Sequence, residues 1–174
     1  MTYDLKTIID ETCKNTFPRN MVDICNKLGI RVQESFNLDK DISGLIYKEY
    51  GQYIILINGN HAPTRQNFTI AHELGHFFKH KEKLDNESEI VSYIKSKSME
   101  CPAIPRGNTM LQDKDYNKIE REANNFAAEI LMPETEFIEQ CCKSNSIEEV
   151  ANYFGVSVAA ASVQANKLGG WFFL

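Results

Sequence analysis

The stretch Phe68-Thr-Ile-Ala-His72-Glu73-Leu74-Gly75-His76-Phe77-Phe78 decides how the rest of the chain is read. Histidines four residues apart fall on one face of a helix, because four residues at 3.6 per turn nearly close the circle. They can therefore share one metal ion. Imidazole nitrogen suits Zn²⁺, and a catalytic zinc takes three protein ligands and leaves a fourth position for water. Glu73, one step along the helix, is placed beside that water as general base. H-E-x-x-H alone is common, but its flanks here narrow the reading. From Thr69 to Phe78 the only charged residue is Glu73, the pattern of a helix buried on most sides whose polar groups serve a site. Gly75 costs a helix interior about 1 kcal/mol relative to alanine, which signals that another element approaches closely there. The competing reading is a buried helix whose histidines are satisfied by hydrogen bonds alone.

Upstream, Gly44–Lys48 and Gln52–Ile57 are rich in strand formers, and Glu49-Tyr50-Gly51 can turn the chain back, so a hairpin feeds into the metal helix. Asn58-Gly59-Asn60 ends the second strand and Pro63 fits a first helical turn, giving a helix from about Pro63 to His80. Ile30–Ser35 alternates apolar and polar residues, as a strand does. Before it, residues 2–15 and 18–28 read as helices with stripes Leu5, Ile8, Ile9 and Met21, Ile24, Cys25, Leu28, parted by Pro18 and ended by Gly29.

Downstream, residues 81–113 are charged and then rich in proline and glycine. A connection of that length is usually functional, so it is expected either to border the active-site cleft or to be a surface insertion. Asp113–Met132 is the second strong helix, with Tyr116, Ile119, Ala123, Phe126 and Ile130 as its core stripe and Pro133 as its stop. Helices then run over Glu134–Cys142, from a Ser146–Glu149 capping box to Phe154, and over Val158–Leu168. Trp171–Leu174 is too apolar to be left in water and is expected to pack as a final strand or tail.

Two histidines do not complete a zinc site. His80 shares a stripe with His76, but a straight helix carries it about 12 Å along the axis from His72. It is better placed behind a ligand or on the surface. Lys79 and Glu82 break the longer pattern in which a third histidine follows on the same segment. The second helix offers Glu120 and Glu122. At about 100° per residue, Ala123, Ala127 and Glu120 share one flank, and the alanines let that flank approach Gly75. This favours Glu120 over Glu122. Asn124, one turn after Glu120, is set to hydrogen-bond a ligand histidine from behind. Tyr93, Tyr116 and His80 are candidate donors to an oxyanion.

The run Arg65–His76, followed by Glu120-Arg-Glu-Ala-Asn-Asn-Phe-Ala-Ala-Glu-Ile-Leu-Met-Pro133, resembles the ImmA/IrrE family of metallopeptidases. The resemblance implies an α+β fold: a zincin-like core, a small antiparallel-rich sheet packed on the active-site helix, and a C-terminal helical pair. It also implies His72, His76 and Glu120 as metal ligands, Glu73 as catalytic base, and a helix-turn-helix repressor of mobile-element or stress genes as protein substrate. The stretch between His76 and Glu120 is long for the family, which bears on substrate access.

The bulk composition agrees. With 174 residues, 43% hydrophobic and 25% charged, the chain fits one globular domain, 1–133 holding the catalytic elements and 134–174 a helical subregion. A net charge of −5 argues against broad nucleic-acid or anionic-membrane binding. No apolar run would span a membrane, and Asp4, Lys6 and Asp10 break up any leader. The expected location is cytoplasmic, with the five cysteines as free packing thiols. Imidazole and carboxylate ligands also accept Mn²⁺ or Fe²⁺ in place of Zn²⁺. Two other functions compete: a non-proteolytic antirepressor, for which an intact Glu73 would be superfluous, and a DNA-binding regulator built on Ala151–Leu168. The would-be recognition helix of the latter carries a single cation, Lys167.

Overall fold

The computed structural model describes residues 5–13, 16–81 and 114–170, with residues 114–117 by backbone only. The expectations for the segment 82–113, including Tyr93, for the Tyr116 side chain and for the tail 171–174 lie outside the described residues. In chain order the elements are α1 (Leu5–Cys13), α2 (Met21–Lys27), β1 (Arg31–Ser35), β2 (Gly44–Glu49), β3 (Gln52–Asn58), α3 (Pro63–Lys79), α4 (Lys114–Leu131), α5 (Glu134–Lys143), α6 (Ile147–Phe154) and α7 (Val158–Lys167). The fold is α+β, as the family resemblance implied.

The sheet order is β1-β3-β2. β2 and β3 form the expected antiparallel hairpin, from Gly44 opposite Ile57 to Glu49 opposite Gln52. Tyr50 and Gly51 turn it with φ of 48° and 79°, the left-handed pair that matches the twist of a two-residue hairpin. β1 joins the other side of β3 in parallel, Arg31 opposite Ile54 through Ser35 opposite Asn58. The sheet is therefore mixed. Alternation within β1 marks which face it buries, but carries no information about which strand it pairs with or in which sense.

α2 starts three residues later than the sequence pattern placed it. Asn20 has extended backbone and its side chain accepts the Val22 amide, making it the N-cap. Asn67 of α3 accepts from the Met21 amide and donates to the Arg19 carbonyl, at 3.1 and 2.9 Å, so α2 is tied to α3 at its first turn.

The junction from β3 into α3 is fixed by Asn58, which is wholly buried. Its amide donates to the Asp39 and Ile42 carbonyls, and its side-chain oxygen accepts the Asn60 amide. A buried amide satisfied on both ends leaves one entry direction for the helix. β2 lies close beneath α3: a Cβ added to Gly44 would stand 2.5 Å from Thr69 Cγ2 and 2.7 Å from the Leu56 carbonyl.

α3 packs most heavily against α4. The last carbonyls of α4 find no partners within the helix, and distant residues supply them: Arg19 Nη1 donates to the Ile130 carbonyl at 2.6 Å and Gln164 Nε2 to the Met132 carbonyl at 3.1 Å. The helices after Pro133 follow their predicted signals. Ser146 Oγ accepts the Glu149 amide, Glu149 accepts the Asn145 amide, and Ser157 Oγ accepts the Ala160 amide. Buried residues from Cys13 to Ala165 form one connected cluster, with Met21, Ile24, Ile55, Ile70, Leu74, Leu131, Phe137 and Phe154 at its centre. Among the described residues no helix is long and apolar enough to cross a membrane.

Candidate metal centre

The α3–α4 crossing is set by two small residues. A Cβ on Gly75 would lie 2.9 Å from Ala123 Cα and 3.0 Å from its carbonyl oxygen. Only glycine lets the backbones come this close, as its place in the sequence foretold. The close approach puts the polar flanks of the two helices face to face.

His72, His76 and Glu120 meet there. His72 Nε2 and His76 Nε2 are 3.0 Å apart, and the Glu120 carboxylate lies 3.4 Å from each. A tetrahedral ion with bonds of about 2.0–2.1 Å separates its ligand atoms by about 3.3 Å. The donor set and its spacing therefore fit a single ion, and these three residues are the group among the described residues that could hold one. Glu122, the rejected alternative, does not join them.

The groups behind the donors are also in place. Asn124 Oδ1 is 2.9 Å from His72 Nδ1. An amide oxygen accepts only, so in the neutral ring this nitrogen carries the proton and Nε2 keeps its lone pair toward the point where the three side chains meet. His80 has both ring nitrogens engaged, Nδ1 with His76 Nδ1 at 3.4 Å and Nε2 with Glu122 Oε2 at 3.0 Å.

Glu73 is buried in the same wall, 7% exposed. Burial raises its carboxyl above the ordinary range; the neighbouring His72 and His76 pull it down, the Glu120 charge pushes it up, and a hydrogen bond from the Ile46 backbone of β2 pulls it down again. Edge strand β2 thus helps to hold the Glu73 carboxyl. The Glu120 carboxyl is held down at about 2 by hydrogen bonds from His72 and His76. Burial lowers the His72 pKa, but hydrogen bonding to Glu120 and the charges of Glu73 and Glu120 outweigh it, and the net shift is upward.

Two contacts escape sequence reasoning. The Ile46 bond depends on the sheet lying beneath α3, which no local pattern reports. Glu122 points away from Glu120 on the helical wheel, yet its side chain is long enough to reach His80. The 72, 76, 80 spacing of the histidines was the available hint.

Residues 25–166 match the IrrE N-terminal-like domain family of peptidases (Peptidase M78). The chain is similar to Metallopeptidase ImmA of Bacillus subtilis (strain 168), 28% identical over an alignment that covers 96% of this chain and 87% of that protein. Its structure is similar to that of a Mycobacterium tuberculosis transcriptional regulator, with a TM-score of 0.56 at 18% identity over 91% of this chain. The match takes in 45% of that regulator, so this chain spans under half its length, and at that identity the likeness concerns the fold. A family match over residues 25–166 takes in most of the chain, and with it the chain belongs to the IrrE N-terminal-like domain family of metallopeptidases.

Proposed function

We propose that the chain is a zinc-dependent endopeptidase, working as one cytoplasmic domain, that cleaves a helix-turn-helix repressor and so relieves repression of mobile-element or stress-response genes. The observation that carries the reading is a buried carboxylate, Glu73, in the wall of a donor set with the spacing of one ion. A site built only to bind a protein gains nothing from a desolvated carboxylate held beside three metal donors.

His72, His76 and Glu120 would hold a zinc ion, which when bound would supply Lewis acidity to a water and to the scissile carbonyl. Glu73 takes the proton from that water. Desolvation raises its basicity toward the neutral range in which a group can both accept and return a proton. The oxygen of that water adds to the scissile carbonyl carbon as the proton leaves, and Glu73 then delivers the proton to the amine nitrogen as the C–N bond breaks. The Ile46 backbone bond keeps the carboxylate aimed while its protonation changes. The kinship with Metallopeptidase ImmA supports proteolysis. The family resemblance supports a helix-turn-helix repressor as the substrate.

Candidate repressors are incubated with wild type and Glu73→Gln, with and without chelator, and fragments are sought by mass spectrometry. Fragments are expected only with metal-loaded wild type. Zinc-loaded Glu73→Gln cutting at the normal rate would sink the mechanism. Loss of DNA binding by a repressor that stays intact would replace proteolysis with antirepression. α7 gives DNA binding no support: its Lys167 reaches Asn125 Oδ1 of α4 at 3.4 Å.

A further inference from the structure

We propose that Glu122 and His80 form a relay that positions His76, matching from the opposite side what Asn124 does for His72. The inference rests on the reading of His76 as a metal ligand. His80 has a side chain only 9% exposed, and a buried imidazole needs partners for both nitrogens. Its Nε2 faces Glu122 Oε2 at 3.0 Å. An ionised carboxylate can only accept, so His80 donates from Nε2 and, as a neutral ring, keeps a lone pair on Nδ1. That lone pair faces His76 Nδ1 at 3.4 Å, the outer edge of hydrogen bonding. His76 therefore carries its proton on Nδ1 and presents the lone pair of Nε2, the nitrogen that stands 3.0 Å from His72 Nε2 and 3.4 Å from Glu120.

The order of command runs from carboxylate to outer ring to ligand ring. A free histidine can carry its one proton on either nitrogen, and the form with the proton on Nε2 cannot ligate through that atom. The relay weighs against this form for His76, which the Glu120 carboxylate alone favours, just as Asn124 weighs against it for His72. Both histidines are set, by different chemistry: one by a single amide, the other by a two-step chain that crosses from α3 to α4. Neither His80 nor Glu122 touches the ion, and both are positioning residues.

Zinc affinity by chelator competition, with long-range ¹H–¹⁵N spectra of the metal-free histidines, tests the proposal. Outer partners of this kind change metal affinity about 10- to 100-fold. His80→Ala is expected to weaken zinc binding by such a factor and to shift His76 toward the Nε2-protonated form. Glu122→Ala is expected to act through His80, so that His80→Ala/Glu122→Ala is no weaker than His80→Ala. Glu122→Gln keeps an acceptor and is expected to restore most of the affinity. Should His80→Ala lose its fold by circular dichroism, Glu122→Ala, at a side chain 40% exposed, carries the test alone. Affinity of His80→Ala and Glu122→Ala within twofold of wild type, with the His76 form unchanged, overturns the relay. So does a double variant whose loss is the product of the two single losses. His76→Ala separates the two claims: if it binds zinc as wild type does, the ligand assignment fails and the relay with it. If His76→Ala loses zinc while His80→Ala does not, the relay alone is overturned.

Discussion

The two ends of α4 both bring polar groups against distant parts of the chain, and they do so to opposite effect. At the C-terminal end, Arg19 and Gln164 each donate to a carbonyl that the helix leaves without a partner. Donor meets acceptor and the need is closed. Toward the N-terminal end, His72, His76 and Glu120 aim lone pairs at one point, and Asn124 and His80 engage the imidazole nitrogens that face away from it. These groups hold one another through shared protons, and their convergence suits a cation in the protons' place. The first arrangement is closed; the second can exchange protons for an ion. Polar contact is thus not one signal, and what distinguishes the cases is whether the atoms pair off or converge.

The largest expected effect breaks the converging end. Glu73→Gln should lower peptide cleavage by about 10²–10⁴-fold, the usual weight of a general base, while zinc content by mass spectrometry stays at the wild-type level. Thermal unfolding of the metal-free variant should hold or rise, since an uncharged amide is easier to bury than a carboxylate.

Next is the hinge between the two ends. Gly75→Ala drives a Cβ to within 2.9 Å of Ala123 backbone, which cannot rotate aside. Denaturant unfolding should show a loss of about 1–3 kcal/mol, and zinc affinity should fall with it, because separating the helices withdraws Glu120 from the histidines. At the pairing end, Gln164→Leu strands the Met132 carbonyl, at a cost of about 1–3 kcal/mol. Zinc affinity should not change. A fall equal to that of Gly75→Ala would mean that the two ends are not separable.

The smallest effect is a pH dependence of the metal-free protein. Glu120 titrates at about 2 when folded against an ordinary 4.5, so its contribution is full above pH 4.5 and is lost as pH falls toward 2. His72 has the opposite sign. Its pKa is raised above 6.5, so its contribution is full below pH 6.5 and is lost as pH rises through the folded value. The stability difference between wild type and Glu120→Gln should therefore be greatest between pH 4.5 and 6.5. It should shrink on both sides, and zinc, which takes the place of protons on the imidazoles, should extend it upward in pH.

Much of this is legible in the sequence. His72 and His76 declare a shared face by spacing alone. Gly75 and Ala123 announce a close crossing because their smallness has no other local reason, and the helical wheel then chooses Glu120 over Glu122. Periodicity works wherever one face of one element decides the outcome. It stops at relations between elements. The parallel pairing of β1 with β3 rests on a contact across twenty and more residues, and the Ile46 bond to Glu73 on how the sheet sits under α3. A helical wheel gives Glu122 a direction away from Glu120 but says nothing of its reach, which extends to His80 Nε2.

The most direct measurement is anomalous diffraction at the zinc edge from crystals of the metal-loaded protein. One peak is expected, about 2.0–2.1 Å from Nε2 of His72, Nε2 of His76 and the Glu120 carboxylate, with Glu73 beside the open position and uncoordinated. A peak ligated by Glu122 or His80, or no peak on α3 in a protein that still cleaves its substrate, would contradict the account.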